Sequence, residues 1–457
     1  MSIAEQLAAF AANVTYDDLT EEARKQVKFL VLDTIGCAIG SLGSEPIDLL
    51  RQQADDFGGK GHCTLVGGGM TAPDRATFYN TALVRYLDFN DGYMGSMATS
   101  HPSDNLGPVL AAAEYADASG RDFMAALALA YQVQCRFCDV APSEKNGFDQ
   151  GLALAYSVAA GSSRALALDP AQAAQAIALS GACQNPLFVS RTGNISHWKG
   201  FATANAAFNG IHATFLAMRG ITGPIQIFEG PRGLFESITG PFEIDWPNED
   251  LKKVLSISVK KFNAGVHSQT AIEGVIEMKG KFRFSHEQIE SINIKTYERA
   301  YFIMGGGGAG NKHDIQNKET ADHSLPYVVA AGIIDGCVMP AQFEIKRILA
   351  EDIQKLLRRV TISSEEILTE RYPAQSPVQI TITMKDGTVF EKEKPGYEGF
   401  FASPMRWETL LHKFEELSGS HTTPGLRREI ADLIERLDGI QIRELATLLG
   451  QVGKIKS

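Results

Sequence analysis

The pattern of hydrophobic residues changes character twice along this chain, and that constrains the fold more than any single motif. The first half reads as helix after helix. Residues 21–42 run from a Thr20 cap through VLDTIGCAIG, and residues 72–87 open after Thr71 with Pro73 in the first turn. Ala-rich segments follow near 107–119, 122–139, 150–166, 170–185 and 200–218. Ala-rich faces let helices approach closely, so a compact bundle is expected. The only strand hint in this half lies near Thr64–Val66.

After about residue 255 the pattern alternates. SISVKKF and SINIKTYERAYF are rich in Ile, Val and Tyr, and VTISS follows at 360–364, all favouring strands. Val378, Ile380 and Ile382 alternate before Asp386-Gly387, which predicts a β-hairpin with a two-residue turn. Helices are predicted near 269–282, 324–336 and 351–358. Beyond Pro404 the pattern is helical again. Thr423 and Pro424 open a helix with Leu426, Ile430, Leu433, Ile434 and Leu437 on one face. The predicted fold class is therefore α with an inserted α+β unit. A discontinuous helical domain comes from both chain ends (1–258 and 401–457), and a smaller α+β domain spans 259–400. A cleft between two such domains is a common place for a small-molecule site.

Composition narrows the function classes. Lys and Arg number 43 against 54 Asp and Glu, a formal charge of -11, which argues against a nucleic-acid partner needing a basic face. A locally basic pocket for a small anion remains compatible with that balance. Cys135 and Cys138 form a C-x-x-C with no second pair at zinc-site spacing, so two buried helix thiols are expected. MSIAEQLAAFAA has no basic residue, unlike a signal or transit peptide, and no apolar run reaches the ~20 residues of a membrane span. A cytoplasmic location and no membrane partner are expected.

Four stretches carry candidate chemistry. LDFNDGYMGSMATSHPSDN (87–105) joins Asp88, Asp91, His101 and Asp104 where a helix ends in a polar loop. His101 titrates near neutral pH, and Asp88 and Asp91 are one helical turn apart and can share a face. The plain alternative is a helix cap at Ser103 or Asp104. SRTGNISHWKG (190–200) brings Arg191, His197 and Lys199 to a helix N-terminus, where cations and backbone N–H groups favour anions. VKKFNAGVHSQT (259–270) holds Lys260, Lys261 and His267, and in a strand only one of the two lysines faces a given cleft. ETADHSLPYVVAAG (319–332) leads from Asp322 and His323 into a helix with Tyr327, where Asp322 or Ser324 is a plain cap and Tyr327 a plain core residue. The glycines 305–308 and 310 are followed by GAGNKH sequence rather than the Gly-Lys-Ser/Thr of a phosphate loop. Metallopeptidase, α/β-hydrolase and dinucleotide fingerprints are not found.

Taken together, these stretches resemble the MmgE/PrpD family, which includes 2-methylcitrate dehydratases, cis-aconitate decarboxylases and iminodisuccinate epimerases. The similarity runs from VLDTIGCAIG through LDFNDGYMGSMATSHPSDN, WKGFATANAAFNGI, GITGPIQIFEGPRGLFE, VKKFNAGVHSQTAIEG and ADHSLPYVVAAGIIDG to Pro404-Met405. HPSDN looks most like the 2-methylcitrate dehydratase branch. The resemblance implies a helical domain with an α+β lid, a homodimer, no cofactor, no metal, and an active site between the domains. It implies catalytic roles for Asp88, Asp91, His101, Lys199, Lys261, His267 and Tyr327, with Arg191, Gln150 and His323 at the substrate.

Two positions depart from the pattern. Gly92 follows Asp91 where the family usually has Thr, and Gln150 stands where members often have His. Gln cannot exchange protons near neutral pH, which leaves dehydration, decarboxylation and epimerisation of a polycarboxylate all open. A ligand-binding member without catalysis is the alternative of another class. For a dehydratase, His101 is expected to move the proton with Asp88 or Asp91 orienting it. Lys199, Lys261 and Arg191 neutralise carboxylates, and Tyr327 or His267 protonates the leaving hydroxyl.

Overall fold

The computed structural model describes residues 1–192, 195–308 and 310–453. The chain is mostly helical and divides into two compact units. The first comprises Met1–Phe188, Gly200–Ile257 and Arg406–Ser457, the second Val189–Lys199 and Ser258–Met405.

The first unit is built on helices Glu21–Gly40, Pro73–Tyr86, Leu106–Tyr115, Gly120–Val140, Gly151–Ala165 and Pro170–Cys183. Thr20 caps the first of these, its side chain accepting from the Ala23 N–H at 3.2 Å. Cys135 and Cys138 are both buried on helix Gly120–Val140. The C-terminal segment returns to this unit through helix Trp407–Ser418, which packs on Glu21–Gly40. A Cβ on Gly40 would meet Leu417 Cδ2 at 3.0 Å, so the missing side chain sets how closely the two helices approach. Their contact carries a buried ion pair, Lys413 Nζ to Asp33 Oδ1 at 2.7 Å. A second bond from Lys413 Nζ reaches the Phe89 carbonyl at 2.9 Å. The strand hint near Thr64–Val66 has a counterpart in the first of two ribbons, and the second was not expected. Two short antiparallel ribbons are present, Cys63–Thr64 with Met70–Thr71 and Tyr93–Met94 with Thr99–Ser100. Strands of two residues are too short to show a period.

The second unit holds a four-stranded sheet in the order Val360–Ser364, Ile289–Thr296, Val378–Met384, Val389–Lys394. The first pair is parallel and the others antiparallel, with Ile294 opposite both Ile362 and Ile380. Val378, Ile380, Ile382 and Met384 alternate into the core. A register shift between Ile289 and Ser291 brings Ile289, Ile292 and Ile294 to the same buried layer. Helices Gln269–Phe282 and Leu325–Asp335 cover that layer. Gly274 makes the approach possible, since a Cβ there would meet Ile380 Cδ1 at 2.4 Å.

Two strand expectations fail for local reasons. SISVKKF is not a strand, because a side chain takes the place of a neighbouring strand. Gln269 Oε1 accepts from the N–H groups of Lys261 and Phe262, and its Nε2 donates to the carbonyls of Phe262 and Ala264. The hairpin turn is longer than two residues. Met384 N–H bonds to the Thr388 carbonyl, and Gly387 N–H to that of Met384. Gly387 has φ 87° and Asp386 is absent from the positive-φ residues, whereas a two-residue type I′ turn needs positive φ at both.

Candidate active site

In the first unit the polar stretch 87–105 folds around a short ribbon. Helix Pro73–Tyr86 ends before Asp88, whose backbone is left-handed at φ 56°. Asp88 and Asp91 therefore do not share a helical face. The Asp88 carboxylate pairs instead with Arg85, both almost wholly buried.

The ribbon pairs Tyr93 with Ser100 and so brings the residues just outside it, Asp91 and His101, together. His101 Nδ1 lies 2.6 Å from the Asp91 carbonyl oxygen. A carbonyl only accepts, so Nδ1 carries the proton and Nε2 of the neutral ring carries the lone pair. The backbone of Asp91, rather than its carboxylate, orients the imidazole. The His101 N–H donates to Gln150 Oε1 at 2.8 Å. Gln150 thus ties the loop to the start of helix Gly151–Ala165.

The Asp91 carboxylate faces inward. Oδ1 accepts from the Ser103 N–H at 3.1 Å and its hydroxyl at 2.6 Å, and Oδ2 from the Tyr131 hydroxyl at 2.9 Å. Burial pushes its pKa up to about 6, against the lowering effect of Ser103 and Tyr131. Asn90 donates to Ser103 at 2.9 Å, while Asn105 is held by Gln134 at 2.6 Å and Ser157 at 2.8 Å. Ser103 and Asp104 lie in a buried 3-10 turn and provide no helix cap. Tyr131 and Gln134 escaped the sequence reading because they sit on an otherwise apolar helix. Their polarity at buried positions was the available signal.

In the second unit Lys199 is the centre of a different cluster. Its Nζ lies 2.7 Å from Asp322 Oδ1 and 2.8 Å from His323 Nδ1. His323 Nδ1 is 2.7 Å from the same Asp322 oxygen, and Lys318 Nζ reaches Asp322 Oδ2 at 3.1 Å. Burial would raise the Asp322 pKa, but Lys199, Lys318 and His323 reverse this and hold the carboxyl far below its ordinary range. Asp322 is therefore a buried anion rather than a cap. Ser324 is the cap, accepting from the Tyr327 N–H at 3.1 Å.

The other predicted residues of this unit stand elsewhere in it. His267 is buried, with Nδ1 2.7 Å from the Tyr297 hydroxyl and no described partner at Nε2. Burial first, then the nearby charges of Arg299, His323 and Lys260, hold it well below its ordinary pKa, so the ring is neutral. Lys261 bridges Glu273 at 2.8 Å and Glu398 at 2.9 Å. Lys260 is fully buried. Tyr327 lies in the hydrophobic core, donates to the Gln342 carbonyl and packs beside Phe343. Arg191 is half-buried in the short turn Phe188–Arg191.

A helical unit with a tautomer-locked histidine on HPSDN, and an α+β unit with a lysine cluster on ADHS, together define a class. The chain belongs to the MmgE/PrpD family: the MmgE/PrpD N-terminal domain matches residues 5–247 and the MmgE/PrpD C-terminal domain residues 262–439. It is 24% identical to the cis-aconitate decarboxylase of Mus musculus, over 98% of this chain and 93% of that protein. It is 26% identical to the 2-methylcitrate dehydratase of Cupriavidus necator, over 79% of this chain and 78% of that one. To the 2-methylcitrate dehydratase of Escherichia coli K12 it is 24% identical, over 83% and 82%.

Proposed function

We propose that this chain is a lyase acting on a small polycarboxylate, and that its reaction is the dehydration of 2-methylcitrate or a similar tricarboxylate. The observation that carries this reading is the bond from His101 Nδ1 to the Asp91 carbonyl, which leaves Nε2 as the basic nitrogen. Family membership and relatives named as dehydratases and decarboxylases give it the substrate class.

The proposed chemistry starts with proton transfer from the carbon next to a carboxylate to His101 Nε2. Negative charge then builds on a substrate that is already anionic, so nearby cations lower the barrier. Lys199, fixed by Asp322, and Arg191 take that part. The carbon–oxygen bond to the β-hydroxyl breaks as the double bond forms, and the leaving oxygen takes a proton to depart as water. The imidazolium formed at His101 is the acid that can return that proton. Where the Tyr297 hydroxyl donates to His267 Nδ1, neutral His267 has its ring N–H at Nε2 and offers the leaving oxygen a hydrogen bond, in preference to Tyr327, whose hydroxyl is committed to the Gln342 carbonyl. In this reading Asp88 and Lys261, each held in ion pairs, have structural parts.

The test is a panel of 2-methylcitrate, citrate and cis-aconitate followed by proton NMR in deuterated water. Loss of water with an unsaturated product is the expected result. Carbon dioxide release would reassign the chain as a decarboxylase, and deuterium exchange without loss of water as an epimerase. Binding without any reaction would make it a ligand-binding member.

A further inference from the structure

One lysine of the second unit stands outside every assignment above. Lys312 follows the glycine run, and the residue is buried, 6% exposed. No described carboxylate lies within ion-pair distance of its Nζ, and no described group accepts a bond from it. A buried ammonium without a partner is costly, so such a position calls for an explanation.

Its backbone is fixed on both sides. The Ser324 hydroxyl donates to the Lys312 carbonyl at 2.6 Å, which ties the residue to the segment bearing Asp322 and His323. The next residue, His313, is anchored through Nε2 to the Val360 carbonyl at 2.9 Å. Lys312 is thus placed next to the Lys199 cluster and feels both Lys199 and Asp322. The charged groups that act on it are Lys199, which repels the ammonium, and Asp322, which favours it.

We propose that Lys312 is a further substrate-binding residue, an ammonium completed by a carboxylate of the bound polyanion. This rests on the polycarboxylate reading and adds a residue to it. Burial, then repulsion from Lys199, brings the Lys312 pKa down to about 8, with Asp322 opposing. Some unliganded protein therefore holds Lys312 as the neutral amine at mildly alkaline pH. A bound carboxylate favours the ammonium, and the amine takes a proton from solvent as the anion enters.

The experiment is calorimetric titration of the full-length protein with tricarballylate, which has no hydroxyl to lose. It is run at pH 8 in two buffers of different ionisation enthalpy. The expected result is uptake of about half a proton per ligand by the wild type, as for a group titrating near that pH. Lys312→Met is expected to bind roughly tenfold more weakly without uptake, the loss of one charge-assisted contact. Lys312→Arg keeps the charge at all pH and is expected to bind without uptake, which tests the idea even if Lys312→Met fails to fold. Wild-type affinity and uptake in both variants would overturn the role of Lys312 and leave the polycarboxylate reading standing. A wild type that neither binds tricarballylate nor turns over any polycarboxylate would overturn both.

Discussion

Lys199 Nζ sits 2.7 Å from Asp322 Oδ1, with the lysine side chain 4% exposed and the carboxylate fully enclosed. Removing one partner of a buried pair strands the other. The two partners are not equivalent, because Asp322 also holds Lys318 and His323. Asp322→Asn is therefore expected to cost about 3–5 kcal/mol of stability. Lys199→Met should cost clearly less, because Lys318 still compensates the carboxylate. Both should lose turnover. Equal thermal destabilisation of the two variants would refute this hierarchy.

His101 offers the cleanest separation of catalysis from folding. Its ring is held through Nδ1 by a backbone carbonyl, so replacing it leaves the Asp91 carboxylate with its Ser103 and Tyr131 partners. His101→Gln is expected to lower kcat by ~10²–10⁴-fold, the range for one proton-transfer group, with little change in unfolding temperature. A purified, folded variant with wild-type kcat would remove His101 from the mechanism.

Asp91 gives stability a pH dependence of defined sign. Its folded pKa, about 6, lies above its ordinary value of 3.8. Its contribution is then full below pH 4 and is lost as pH rises through 6. Asp91→Asn stays neutral throughout. The variant should gain on the wild type by up to about 3 kcal/mol between pH 4 and pH 8. Denaturation curves at the two pH values measure this, and a constant difference would contradict it.

Lys413 joins helix Trp407–Ser418 to helix Glu21–Gly40 through Asp33 and to the loop ahead of Asp91 through the Phe89 carbonyl. Lys413→Met leaves Asp33 buried without its cation, and about 3–5 kcal/mol is the expected cost. A larger drop in kcat than in KM-based affinity is expected as the Phe89 anchor is lost, even at temperatures where the variant is folded. Replacing Asp33 and Lys413 together by Leu and Met should restore part of the stability but not the kcat. If the double variant regains full activity, the anchor has no role in the site.

Much of the architecture was legible because it rests on local periodicity. The Val378, Ile380, Ile382 alternation became a strand and the Thr423 cap began a helix, its side chain accepting from Leu426 N–H at 3.2 Å. SISVKKF misled because its backbone partner is the Gln269 side chain, a contact that propensity does not encode. Of the candidate site, His101, Lys199 and His323 were visible as polar residues at helix ends. The Asp91 carbonyl, Ser103 and Tyr131 were not, since a backbone acceptor carries no sequence signal and a tyrosine on an apolar helix looks like core. Lys312 was hidden by its place in a glycine run that fails as a phosphate loop.

The bond from Lys413 to the Phe89 carbonyl spans 324 residues of sequence. It has a consequence for synthesis. The ribosome must add 324 residues after Phe89 before Lys413 exists, and a helix of the returning segment has to fold after that. Until then the loop ahead of Asp91 has no anchor at Phe89, and Asp33 is a buried carboxylate in waiting. The nascent chain therefore carries His101 through that whole interval without the Phe89 anchor, and the proton-transfer loop gains it only when the returning helix docks.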